Sequence, residues 1–137
     1  MPPKTSAFVA WGRCLRISLL PTALADILAG LSIAGATKFP LDSRLLLFLC
    51  SLGIYHGAMG LNDWADRGKD KIERPERPLP SGQLTAAQAF TVSASLLIVG
   101  VAAAFALDLR LGLWMLALAT LAVAYDLWLR GPTIGPL

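Results

Sequence analysis

Four long apolar tracts separated by polar breaks set the pattern of this chain. Ile17–Ala36 is long enough to cross about 30 Å of hydrocarbon as a helix rising about 1.5 Å per residue, and Leu45–Leu61, Ala86–Leu107 and Leu111–Leu129 fall within the range of about 17–25 residues that membrane-spanning helices use. None alternates as a half-buried strand does, so the pattern predicts four membrane-spanning helices and no sheet. Pro40 breaks the chain after the first tract, and Asp42-Ser43 offers an N-cap for the second. Thr85 and Gln88 form a T-x-x-Q capping box ahead of the third. Asp108-Leu109-Arg110 makes a tight connection to the fourth, which carries Trp114 and Trp128 towards its two ends, as an interfacial belt would. The tail, Gly131–Leu137, is rich in turn residues.

The first tract competes with a secretory signal peptide, because Ala34-Gly35-Ala36 resembles a cleavage site. Its apolar region exceeds the usual ~7–15 residues, it contains Pro21 and Asp26, and further spans follow, so a span is the better reading. An acid such as Asp26 at membrane depth is expected to face the bundle interior or a wet cavity. His56, alone in the second tract, is expected to bond across helices or to line a cavity wall.

Composition agrees with a membrane bundle. Of 137 residues, 55% are hydrophobic and 15% charged, against about 25% charged in an average globular chain; the mean hydropathy is +0.61. Ten of the 21 charged residues lie between Asp63 and Arg77, and the long tracts are nearly bare. A net charge of +3 with no aromatic-interleaved basic patch gives no reason to expect nucleic acid as a partner. Cys14 and Cys50 have no partner at metal-ligand spacing, and Cys50 reads as packing. With four spans, nine Lys and Arg fall on the side of the N-terminus and the 62–82 loop and three on the other. The positive-inside rule then puts that loop in the cytoplasm, in a chain integral to the plasma (inner) membrane.

Candidate chemistry is concentrated at the end of the second span. Asn62, Asp63, Asp66 and Asp70 form an N-D-x-x-D-x-x-x-D series, and these offsets stack side chains on one helical face. Like charges at that spacing repel unless a cation sits among them, and Mg2+ held by one or two carboxylates with substrate phosphates is the natural candidate. Arg67, Lys69, Lys71, Arg74 and Arg77 follow as donors suited to phosphate oxygens. The alternative for such a mixed-charge stretch is a solvated surface; its place at the end of a membrane helix favours a metal-bridged diphosphate site.

The series continues as Arg74-Pro75-Glu76-Arg77-Pro78-Leu79-Pro80-Ser81-Gly82. N-D-x-x-D-x-x-x-D joined to R-P-x-R-P-L-P-S-G resembles the first signature of the UbiA superfamily of membrane prenyltransferases. Tyr125 and Arg130 fall where many members have a Tyr and a Lys. The short spacing from Asp70 to Arg74-Pro75 is more similar to the chlorophyll-synthase and archaeal ether-lipid branches than to the ubiquinone branch. The resemblance implies an all-α polytopic bundle of about nine transmembrane helices, of which this chain would supply the first four. It implies Mg2+-dependent transfer of a prenyl group from an isoprenyl diphosphate to a hydrophobic, aromatic or lipid-like acceptor. Asp63, Asp66 and Asp70 would be the catalytic acids. Asn62, Asp63 and Asp66 would ligate the metal, and Asp70 would ligate it or orient its waters. Arg67, Lys71, Arg74, Arg77 and Arg130 would bind the diphosphate.

A second Asp-rich motif, which the family carries, does not occur downstream, so residues 1–137 are expected to be a truncated N-terminal part of such a domain, inactive alone. Absence of a D-G-x-x-A-R series argues against a CDP-alcohol phosphotransferase. The competing reading is a non-catalytic membrane protein or scaffold that keeps only a Mg-diphosphate-binding half-site.

Overall fold

The computed structural model describes residues 6–35 and 38–129, and every described element is helical. Helix α1 (Ala7–Cys14) leads through a short 3-10 turn (Ile17–Leu19) into α2 (Leu20–Ala34). Then come α3 (Leu41–Ala65), α4 (Arg67–Glu73), α5 (Ala86–Leu107) and α6 (Leu109–Ala124), which ends in a π-helical turn over Tyr125–Leu129. Four helical stretches, Ile17–Ala34, Leu41–Ala65, Ala86–Leu107 and Leu109–Leu127, are long and apolar enough to cross a membrane. The chain is an all-helical integral membrane protein. Arg130 and residues 131–137 lie outside the described residues.

The second helix is longer than its hydrophobic tract. It starts at Leu41 behind Pro40 and ends at Ala65, so Asn62 and Asp63 belong to the helix itself. Pro40, in extended conformation, is the residue before its first turn, and Asp42 lies inside that turn instead of capping it. Elsewhere the expected caps are in place. Gln88 N donates to Thr85 Oγ1 and Thr85 N donates to Gln88 Oε1, closing the capping box of α5. Asp108 Oδ1 accepts from the backbone N–H groups of Arg110 and Leu111, which starts α6 directly after α5.

The most extensive pairing is α3 against α5, and small residues set its closeness. Gly53, Gly57 and Gly60 line one face of α3. A Cβ at Gly57 would lie 2.9 Å from Leu97 N and Ser93 O, and one at Gly100 would lie 2.9 Å from Cys50 O and Ile54 N. In a membrane, where apolar side chains gain nothing by leaving lipid, such backbone proximity supplies the association energy. Cys50, Ile54, Leu61, Leu97, Ala103, Ala104 and Ala119 form the resulting core. Leu28 and Ile33 on α2, Ile98 on α5 and Trp114 and Leu121 on α6 are exposed on the outer faces. Asp26 is also exposed on α2 within these four spans.

A second, smaller core lies at the polar end. Ala10 and Cys14 of α1 meet Leu84 and Ala89, with Trp11, Trp64 and Leu79 packed around them. It fastens α1 and the 74–85 loop to the ends of α3 and α5. Helix α1 itself was not foreseen: eight residues carrying Arg13 read as a basic lead until the burial of Ala10 and Cys14 shows an amphipathic helix.

Candidate functional site

The acids keep helical spacing across the junction of α3 and α4. Asp66 N donates to Asn62 O and Asp70 N donates to Asp66 O, both at 2.9 Å, so the ladder passes through Asp66 with little interruption. Asp63 and Asp70 are thereby brought to one side and buried, only 5% and 4% exposed. Asn62 Nδ2 donates to Asp66 Oδ2 at 3.4 Å.

Burying two carboxylates is costly unless a cation is close. The loop supplies one. Arg77 Nη1 donates to Asp70 Oδ2 at 2.7 Å and to Asp63 Oδ1 at 3.3 Å, one nitrogen bridging both acids. Backbone bonds from Arg77 N to Arg74 O, Ser81 N to Arg77 O and Leu84 N to Pro78 O wind this proline-rich segment into consecutive turns that hold Arg77 in place. The loop leaves through Gly82, whose φ of +74° suits glycine. Burial lowers the Arg77 pKa, but the hydrogen bond to Asp70 and the charges of Asp63, Asp70 and Asp66 outweigh it and leave the value raised.

A second cation arrives from the start of the chain. Arg16 Nη2 lies 3.4 Å from Asp63 Oδ1. Arg16 is in the left-handed region (φ +53°), at the corner where α1 turns into the first span. His56 Nδ1 lies 2.8 Å from Leu15 O and ties that corner to α3, so the histidine bonds across elements. Arg13, Arg16, Asp63, Glu76, Arg77 and Pro78 enclose a polar cavity of about 350 Å3. Cys14 is fully buried nearby, and its thiol is pushed up to about 11 by burial and then by the charge of Asp63.

The structure divides the other predicted cations. Arg67 and Lys71 border a different cavity, of about 420 Å3, with Ala65, Gly68, Leu79 and Ala86. Arg67 donates to Trp64 O at 2.7 Å and its guanidinium lies 4.2 Å from the Trp64 ring centroid. Arg74 is exposed, and Arg130 lies outside the described residues. Arg13 and Arg16 were missed as site residues, because their charge shows in the sequence but the corner that turns them onto the acids does not.

Among the described residues, no group of three His, Cys, Asp or Glu is close enough to hold a metal by protein ligands alone. The donor set fits a different arrangement. Asp63 and Asp70 converge on a single cationic nitrogen, which stands where a cation belongs. Two carboxylates beside arginines suit Mg2+ that is completed by phosphate and water. Two turns deeper along α3, an apolar cavity of about 590 Å3 opens between α2, α3 and α6, lined by residues including Ile27, Leu31, Ile54, Tyr55 and Met115.

The UbiA prenyltransferase family matches residues 23–136. The chain belongs to that family. Among curated UbiA-type relatives, the digeranylgeranylglyceryl phosphate synthase of Methanosarcina barkeri is 33% identical over 101 residues, covering 73% of this chain and 35% of that protein. The enzyme of the same name from Methanothrix thermoacetophila is 37% identical over 73 residues, or 53% and 27% of the two chains. The matched segment thus spans about a third of these relatives' length. A solved chain from work on digeranylgeranylglyceryl phosphate synthase in membranes superposes with a TM-score of 0.83 at 23% identity, over 92% of this chain and 45% of that one. That likeness fixes the UbiA-type fold.

Proposed function

We propose that the protein carrying this chain transfers a prenyl group from an isoprenyl diphosphate to a lipid-like or otherwise hydrophobic acceptor, with Mg2+, from the cytoplasmic side of the plasma (inner) membrane. The observation that carries this reading is the pair of buried carboxylates, Asp63 and Asp70, gathered on Arg77 at the end of a membrane span in a UbiA family member. The relatives' names favour a glyceryl phosphate lipid as acceptor over an aromatic ring.

In this reaction the allylic C–O bond breaks, the electron pair leaves with diphosphate, and the acceptor's nucleophile bonds to the freed carbon as its proton departs. The demand on the protein is to stabilise charge on the leaving oxygens. Arg77, Arg16 and Arg13 surround the polar cavity and would donate to those oxygens. Arg67, Lys71 and Arg74 lie outside it and would add to its positive field from further away. Bound Mg2+ supplies Lewis-acid neutralisation of the diphosphate. Asp63 and Asp70 would hold it, with Asp66 and Asn62 beside them. The apolar cavity two turns deeper has the chemistry to take the far part of the isoprenoid chain.

The test is a transfer assay with radiolabelled geranylgeranyl diphosphate and geranylgeranylglyceryl phosphate, on the protein carrying this chain and on its Asp63→Asn and Asp70→Asn variants. Loss of at least about a hundredfold is expected, since removing one carboxylate costs several kcal/mol of charge stabilisation. Variants retaining activity within threefold of the parent would sink the assignment.

A further inference from the structure

Asp63 and Asp70 are matched by Arg77 and Arg16 in both number and place. The two carboxylates carry two negative charges, and the guanidiniums 2.7 to 3.4 Å away carry two positive ones. This balanced cluster is buried at its acidic side, while the side chains of Arg77 and Arg16 remain 20% and 35% exposed towards the cavity. A divalent cation arriving alone meets acids that are already neutralised. Diphosphate arriving alone meets Arg77 and Arg16 already engaged by the acids.

We infer that Arg77, with Arg16, is a positioning residue that occupies the Asp63–Asp70 pair until metal and diphosphate arrive together, so that the two bind as a unit. The inference rests on the proposed metal-diphosphate site and adds how it is filled. Exchange conserves charge: the guanidiniums move from carboxylate to phosphate oxygens, and the metal takes the carboxylates they leave. The required movement is small for long side chains that already border the cavity. Coupled binding protects the site from holding either ion unproductively, and reciprocity requires each ion to raise the other's affinity by the same factor. A single nitrogen, Nη1 of Arg77, makes both carboxylate contacts, so a lysine ammonium can perform the resting-state task.

Equilibrium dialysis of the protein carrying this chain in nanodiscs, with Mn2+ and inorganic pyrophosphate as probes, tests this without turnover. Wild type is expected to retain Mn2+ and pyrophosphate together at concentrations where neither is retained alone. Arg77→Gln is expected to bind Mn2+ alone about tenfold tighter and to lose most of the coupling, whereas Arg77→Lys stays close to wild type. A residue that merely held the loop in place would, on removal, weaken Mn2+ binding. Equal or weaker Mn2+ binding by Arg77→Gln, with joint retention intact in wild type, overturns the exchange and leaves the proposed function standing. No joint retention by wild type removes both. Should Arg77→Gln fail to fold, Arg16→Gln carries the same test with the same sign and a smaller shift, because Arg16 touches Asp63 alone.

Discussion

Replacing Gly57 by alanine tests the packing that holds the bundle together. The added Cβ would lie 2.9 Å from Leu97 N, Leu97 Cγ and Ser93 O, and ordinary contact begins near 3.4 Å. Helices α3 and α5 must therefore separate by about half an ångström, since two of the three atoms belong to backbone and cannot rotate away. Overpacking of this kind costs about 1–3 kcal/mol, and the backbone obstruction points to the upper half of that range. Alanine also raises helix propensity by about 1 kcal/mol, which partly hides the loss. Gly30→Ala supplies the control: it lies in another apolar span, with nothing within 4 Å of its Cβ position, and gains the same propensity. The difference between the two variants then isolates packing and should be about 2–3 kcal/mol. Equilibrium unfolding in detergent mixed with SDS, followed by tryptophan fluorescence, reads it. If the two variants unfold within about 0.5 kcal/mol of one another, the close α3–α5 approach is not what stabilises the bundle.

Three further outcomes follow from particular contacts. Thr85→Ala removes the side chain that accepts from Gln88 N, and should lower stability by about 1 kcal/mol in the same unfolding assay; no change would mean that α5 needs no cap. Cys14 should resist alkylation in a Cys50→Ser background. Burial and then Asp63 disfavour the thiolate, so it forms only as pH approaches about 11. At pH 8.5 reaction with N-ethylmaleimide should be about a hundredfold slower than for a free thiol and rise about tenfold per pH unit; a rate near that of glutathione would contradict the burial. Ser81→Cys, in a chain lacking both native cysteines, should be labelled by impermeant maleimide from the cytoplasmic side of intact vesicles, and labelling from the other side alone would invert the topology.

The sequence by itself determined the class of molecule, the number of spans and the motif. Hydrophobic length is a local property, and lipid leaves an apolar tract little choice but a helix, so four spans could be counted residue by residue. The Thr85–Gln88 cap was legible for the same reason, being complete within four residues. The Asn62–Asp70 acids were legible because helical offsets place them on one face, and their ladder does continue through Asp66. The length of α3 was less legible: Leu41 and Ala65 extend the helix beyond its apolar tract, because polar residues continue a helix as readily as apolar ones once packing supports it. What only the tertiary structure decided was which cations meet the acids. Arg67, Lys71, Arg74 and Arg77 look equivalent along the chain, yet the turns of the 74–84 loop bring Arg77 inward, while the helical phase of α4 sends Arg67 and Lys71 to a separate cavity. Arg16 is 47 residues from Asp63 in sequence. The corner after α1, a left-handed backbone held by His56, brings the two together, and no local pattern encodes a contact made by two elements that meet only when the bundle closes.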